Sequence, residues 1–426
     1  MLELTAETFQ NEHLPVGGTD VNAVISLTAR GEPPTAADEP VGAAEIVIVD
    51  VSGSMLHPRS KLVAAKAAAE AAIDQVRDGV WFGLVAGTGH AHRLYPTGAR
   101  LVRASEETRA EARAAVQTLD AMGGTSIGRW LIEAYNWFAA YEGMIRHAIL
   151  LTDGRNESET DDYFSAVLDR CVGAFQCDCR GIGVDWSVAE LRRIASALLG
   201  TVDIVAEPHD LPADFAAMMR HSMARREADV RVRLRLPRGA VLGFFKQVSP
   251  TIEDLSTRGS VCPDGTIEFT TGAWGQETRD YHLCIAVPPH ASGEEMLAGR
   301  VSVVVGDEVV ATSLVRAVWT DDVGMSTRIH PQVAHYSRHE ELANVIAAGL
   351  AAREAGDEHE ATLQLSRAAQ LAAGLGHDDT LRLLEGVVDV DDAATGTVRL
   401  KRAVDPADEM ALDTRSTKTV RLRSEG

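Results

Sequence analysis

The chain has 426 residues, a formal net charge of −21 and 45% hydrophobic residues. That length predicts about two to four domains, and the acidity argues against a nucleic-acid groove, since such domains are usually basic. No apolar run reaches the roughly 20 residues needed to span a bilayer.

The opening stretch MLELTAETFQNEHLPVGG has neither a basic n-region nor an apolar h-region, so it does not read as a secretion signal. Five cysteines, Cys171, Cys177, Cys179, Cys262 and Cys284, make an odd set. Together these features predict reduced thiols and a cytoplasmic location. Val21–Leu27 alternates apolar and polar residues, the period of a half-buried strand. Gly31–Gly42 brings prolines, acids and alanines and reads as a linker.

Ile46–Val49 is a continuous apolar run ending in Asp50, with Ser52 and Ser54 following at +2 and +4. A helix is predicted over Lys61–Val76, a strand over Val80–Ala86 with His90–Tyr95 beside it as a hairpin, and a helix over Ser105–Leu119. Gly123-Gly124-Thr125 then places a hydroxyl in a glycine-rich loop before a helix over Ile127–Ala140. Trp130, Ala134, Trp137 and Phe138 share one stripe of that helix and read as core. His147–Leu151 is a second apolar strand, followed by Thr152-Asp153-Gly154. Further strands are predicted at Cys179–Val184 and Val202–Val205, with a capping box at Ser187–Glu190 opening the helix between them.

Asp50, Ser52, Ser54, Thr125 and Asp153 form an all-oxygen donor set suited to a hard divalent cation. Mg²⁺ takes near-octahedral oxygen ligands, and these loops lack the His and Cys that zinc or iron would favour. The three hydroxyls can bind directly, and the two acids can balance charge directly or through water. In an open parallel sheet, ligands gather at the carboxyl ends of the strands, where both acids fall.

Residue for residue, this set resembles the metal-ion-dependent adhesion site (MIDAS) of the von Willebrand factor A (VWA) family, over roughly residues 44–226. The resemblance implies a doubly wound, Rossmann-like α/β fold. It also implies a bound divalent cation (Mg²⁺, with Mn²⁺ or Ca²⁺ as substitutes) and an open coordination position that a protein partner's Asp or Glu fills. The expectation is a non-enzymatic binding module. One rival is an adaptor for an AAA+ ATPase of the MoxR or chelatase type, although this chain has no phosphate-binding G-x-x-x-x-G-K-[ST]. Another is a metal-dependent phosphatase of the haloacid-dehalogenase type with Asp50 as nucleophile, although Ser52 stands where that family has a second Asp. A serine hydrolase built on Ser54 and His57 lacks the G-x-S-x-G elbow.

Beyond this region Val230–Leu236 alternates apolar residues with Arg231, Arg233 and Arg235. Strands are predicted at Leu242–Val248, Thr266–Thr270, Arg279–Val287, Arg300–Val305 and Val309–Trp319, divided by turn signals, as in an antiparallel sandwich. The N-terminal strand has no partner nearby in sequence, so it is expected to join that sandwich, with the α/β domain inserted in it. Residues 338–386 read as a helical hairpin similar to a single tetratricopeptide unit. The expected division is residues 1–37, N-terminal strands and linker; 38–226, the VWA-like domain; 227–330, the sandwich; 331–390, the hairpin; and 391–426, a disordered tail.

That tail sets Thr414, Thr417 and Thr419 among arginines, a pattern suited to Ser/Thr kinases. Val420 and Leu422 stand at +3 from Thr417 and Thr419, a spacing forkhead-associated (FHA) domains favour when they read phosphothreonine. It is similar to the tails of bacterial, especially actinobacterial, VWA proteins associated with FHA proteins, phosphatases and Ser/Thr kinases. An unmodified basic tail lying on the protein's own acidic surface fits the same residues.

Overall fold

The computed structural model describes residues 2–31 and 42–422. Apart from its two end residues, the linker expected over Gly31–Gly42 falls outside the described residues. The chain divides into two compact units: residues 1–31, 229–271 and 276–426 form one, and residues 32–228 with 272–275 form the other. The chain opens in the first unit with β1 (Glu3–Gln10), β2 (His13–Pro15) and β3 (Asp20–Arg30).

The second unit is α/β. Its first strand, β4 (Ala43–Asp50), is buried at every position because helices cover both faces of the sheet. There follow α1 (Ser60–Gln75), β5 (Trp81–Gly87), β6 (Ala91–Tyr95), β7 (Val102–Arg103), α2 (Glu106–Gln117) and α3 (Ile127–Phe138). Next come β8 (Ile145–Thr152), α4 (Asp161–Cys171), β9 (Gln176–Ile182), α5 (Val188–Ala197), β10 (Val202–Val205) and α6 (Leu211–Met223). The sheet order is β10-β9-β8-β4-β5-β6, parallel from β10 to β5, with β6 and β7 antiparallel on β5. Helix α1 packs with α2 and α6, while α4 packs with α3 and α5. Trp130, Trp137 and Phe138 of α3 are buried, as their stripe predicts, and Met218, Met219 and Met223 join the core from α6. Helix α4 has no counterpart among the predicted elements. Its core positions Phe164, Val167, Leu168 and Cys171 keep the i, i+3, i+4, i+7 spacing of an amphipathic helix within a segment rich in charged and small residues. Strand order reverses at β4, with β8 on one side and β5 on the other, so the crevice at the carboxyl ends of β4 and β8 is the ligand position of such sheets.

The first unit resumes with β11 (Val230–Arg235), β12 (Val241–Ser249), β13 (Glu253–Asp254), β14 (Ser260–Val261), β15 (Ile267–Thr270), β16 (Thr278–Ala286), β17 (Glu295–Val305) and β18 (Glu308–Thr320). Two sheets result, β1-β3-β16-β12-β13 and β14-β15-β11-β17-β18-β2. Phe245 of β12 stacks on Tyr281 of its own sheet and meets Phe269 of the other, with ring centres 5.3 and 4.3 Å apart. The N-terminal strand β3 lies between β1 and β16, so distant segments of chain share one sheet. The β11 arginines are paired: Arg231 and Arg233 both bond Glu268, and Arg235 bonds Asp264. They line one strand face, each paired with an acid.

After α7 (Val323–Ser326), the helical region holds three helices, not the expected two: α8 (Pro331–Glu354), α9 (Glu358–Leu375) and α10 (Asp378–Val387). The disordered tail expected over 391–426 is a second correction as far as residue 422; its last four residues lie outside the described residues. The hairpin β19 (Val388–Asp392) and β20 (Thr397–Leu400) is followed by α11 (Pro406–Arg415). Val398 and Leu412 enter one core with Leu342, Ile346, Leu365 and Leu384. Few apolar residues mark this stretch, and its order comes from burial against helices far away in sequence. No helix among the described residues is long and apolar enough to cross a membrane.

Candidate metal centre

Asp50 ends β4 and is fully buried. Its Oδ1 accepts the Ser52 amide at 2.7 Å, and its Oδ2 accepts the Thr152 hydroxyl at 2.6 Å. Burial pushes its carboxyl up to about 6 against those hydrogen bonds, with the nearby Asp153 adding to the rise. A buried carboxylate in that state is poised for a counter-cation.

The chain then turns through a short 3-10 segment, Gly53–Leu56, held by the Gly53 amide on Gly123 O at 3.0 Å. The Met122 amide donates to Val51 O at 2.8 Å, so the glycine-rich loop is pinned to the loop after β4. The Ser52 and Ser54 hydroxyls are 2.9 Å apart, and Ser54 donates to Asp153 Oδ1 at 2.6 Å. Asp153, fully buried, follows the last residue of β8. Gly154 joins Thr125 to this group. A methyl group added at Gly154 would lie 3.0 Å from Thr125 Oγ1 and 3.6 Å from Ser54 Oγ. All five predicted residues therefore converge at the crevice, around a cradle that a side chain at 154 would crowd. Two carboxylates and three hydroxyls, all oxygen donors, fit a hard divalent cation.

Residues outside the predicted set complete the site. Thr152 holds Asp50, and its Oγ1 also takes the Gly154 amide at 3.1 Å. Asn156 Oδ1 accepts the Ile127 amide, while both Glu159 oxygens accept the Gly128 and Arg129 amides, so acceptors from the loop after β8 cap α3. Lys61, in the first turn of α1, is buried and places Nζ 2.9 Å from Asp153 Oδ2 and 3.1 Å from Asp185 Oδ2. Burial works against its charge, yet the two carboxylates win and hold its ammonium above the ordinary lysine range. A sequence signal for it exists: a lysine in a helix's first turn opposes the macrodipole unless an acid answers it.

Both Asp50 oxygens accept hydrogen bonds in a buried setting. The Ser54 hydroxyl bonds Ser52 and Asp153, while His57 is exposed. Cys177 and Cys179 are buried with sulfurs 4.0 Å apart, and the described residues contain no group of three or more His, Cys, Asp or Glu side chains arranged to hold a metal.

The tail candidates differ in access. Thr414 is buried, with its hydroxyl on Met410 O at 2.8 Å. Thr417 and Thr419 are half-buried, and Thr419 Oγ1 donates to Val248 O at 2.6 Å.

The family model described as the von Willebrand factor type A domain matches residues 44–204, and one described as the von Willebrand factor type A C-terminal domain matches 370–416. A solved structure titled von Willebrand factor type A from Catenulispora acidiphila is 46% identical, covering 99% of this chain and 98% of that one, with a TM-score of 0.94. The ArnB paralog VWA2 from Sulfolobus acidocaldarius shares the fold at 12% identity and a TM-score of 0.61, each chain covered to 98%. The human COPII-coat protein Sec24c shares it at 9% identity and a TM-score of 0.53, over 97% of this chain and 74% of that one. Among curated proteins, none matches.

Proposed function

Since the chain belongs to the von Willebrand factor type A family, we propose that it is a metal-dependent protein-binding module that captures an acidic residue of a partner. The observation that carries this reading is the convergence of Ser52, Ser54 and Thr125 on Asp50 and Asp153 at the point where strand order reverses. The hydroxyls of Ser52, Ser54 and Thr125 ligate Mg²⁺, or Mn²⁺ or Ca²⁺ in its place. Asp50 and Asp153 balance the charge and orient those hydroxyls. The bound cation supplies a strong local positive charge for an incoming carboxylate, and at contact it outweighs the long-range repulsion of a chain with net charge −21. The setting proposed is cytoplasmic, in keeping with five free cysteines.

The reading is tested by calorimetric titration of Mg²⁺ and Mn²⁺ into the wild type and Asp50→Ala. The wild type takes one ion per chain and the variant takes none; equal binding by both defeats the assignment.

The second part of the proposal is regulatory. A Ser/Thr kinase modifies Thr417 or Thr419, and an FHA protein reads the phosphate, with Val420 or Leu422 at +3 as the specificity residue. The half-buried position of these two threonines supports them over Thr414.

A further inference from the structure

We propose that Lys61 tunes the metal centre: its ammonium is a built-in counter-cation that holds Asp153 before a metal arrives, weakens metal binding, and leaves the loaded site in need of one more negative charge. This inference rests on the metal reading above and adds a residue to it. Lys61 is 4% exposed, and its tip is wedged under the loop after β9: a methyl group at Gly183 would meet its Cε at 3.1 Å and its Nζ at 3.4 Å. The ammonium is thus held in place rather than drifting on a surface. It takes one oxygen of Asp153 at 2.9 Å while Ser54 donates to the other at 2.6 Å, so the same carboxylate faces the hydroxyl cluster and the lysine. Asp185 shares the ammonium at 3.1 Å, and its own side chain is 66% exposed.

The charges decide the consequence. Asp50 and Asp153 with Lys61 leave one net negative charge among buried groups, and a dication turns that into one net positive charge. Without the lysine, the two acids and the dication would neutralise each other, and a partner carboxylate would gain less. The lysine therefore trades metal affinity for anion affinity. It also spares the metal-free protein an unpaired buried acid, which is strongly destabilising. Asp185 moderates the effect by drawing part of the ammonium's interaction away from Asp153.

The test is calorimetric titration of Mn²⁺ alone into the full chain as wild type, Lys61→Met, Asp185→Asn and the double variant, with melting temperatures measured without metal. Lys61→Met is expected to bind Mn²⁺ about tenfold more tightly and to melt at a lower temperature than the wild type when metal-free. Asp185→Asn, changed at an exposed side chain, is expected to bind about threefold more weakly, and that loss shrinks in the Lys61→Met background because it acts through the lysine. Unchanged or weaker Mn²⁺ binding by Lys61→Met overturns the inference, as does an Asp185→Asn loss that persists undiminished in the double variant. Should Lys61→Met not fold, an Asp185→Asn protein with wild-type affinity overturns it. A wild type that takes no Mn²⁺ removes the metal reading itself, an outcome distinct from the others.

Discussion

Room around the oxygen cluster is set by residues that contribute no donor. Gly154 leaves the space that Thr125 and Ser54 face. On the neighbouring strand, Gly181 of β9 lies against the buried Trp186, whose ring would come within 1.9 Å of a methyl group at that position. That ring cannot yield inside a close-packed core, so Gly181→Ala is expected to cost about 3 kcal/mol. Urea unfolding reads this as an earlier transition of the α/β unit, and an unshifted midpoint contradicts it. At this scale the five candidate donors were legible because D-x-S-x-S and the two later loops keep their chemistry in short segments. Lys61 and Thr152 were harder to see, since each acquires its role from a partner about a hundred positions away.

Elements β4, β8, β9 and α6 are joined by a charge network at the amino ends of the strands, opposite the candidate metal centre. His147 is fully buried, with Nδ1 2.7 Å from Glu45 Oε2 and Nε2 2.8 Å from Asp178 Oδ2. Ser222 of α6 donates to the other Glu45 oxygen, and Thr201 donates through its amide and its hydroxyl to Asp178 Oδ1. An imidazole with a carboxylate at each nitrogen is held as imidazolium. Burial opposes that charge, but Glu45 and Asp178 outweigh it and raise the His147 pKa above its ordinary 6.5. Asp178, buried but bonded to His147 and near Arg225 and Arg180, is held well below the usual carboxylate range. His147 therefore adds stability that is complete below about pH 6.5 and is lost as pH rises through the raised value. Asp178 adds stability that is present above about pH 4 and is lost as pH falls through its lowered value. Thermal melting across pH should show both limbs, and His147→Gln should flatten the upper one while destabilising the unit by about 3 kcal/mol near pH 6. A wild type whose melting temperature does not fall above pH 6.5 relative to His147→Gln counts against the network. Of these parts, β4 and β8 were readable as continuous apolar runs. The network was not, because Glu45, His147 and Asp178 are single polar letters in three separate strands, and only sheet order makes them neighbours.

On the scale of the whole molecule, residues 417–421 are bound rather than free. The Ile252 amide donates to Thr417 O, and the Thr419 amide donates to Pro250 O at 2.9 Å. Thr251 and Lys418 form an antiparallel bridge, and Arg421 reaches Asp280 and Ser26. The C-terminal segment therefore lies as a short added strand beside the loop between β12 and β13. A phosphate on Thr419 would lose the hydroxyl's bond to Val248 O and set about two negative charges against carbonyl oxygens. Thr419→Glu is accordingly expected to release the segment and speed tryptic cleavage at Lys418 and Arg421 several-fold, whereas Thr419→Val, which loses only one hydrogen bond, should change it little. Equal cleavage of both variants and the wild type, followed by mass spectrometry, would remove the switch. The acidic-to-basic composition of the tail predicted a loose chain, and the fold instead buries Val398, Leu412 and Thr414.

Read without coordinates, the sequence determines the α/β unit and marks the five oxygen-bearing side chains, Asp50, Ser52, Ser54, Thr125 and Asp153, that the fold brings to one crevice. Each of these rests on local patterns: apolar runs covered on two faces, hydroxyls at fixed spacing after an acid, and glycines in the loops between. Tertiary structure alone decided the ammonium shared between Asp153 and Asp185, the imidazolium between Glu45 and Asp178, the third C-terminal helix and the docked tail. Those depend on which distant segments meet. Burial and charge pairing have no range along the chain, only through space, so a linear pattern does not record them.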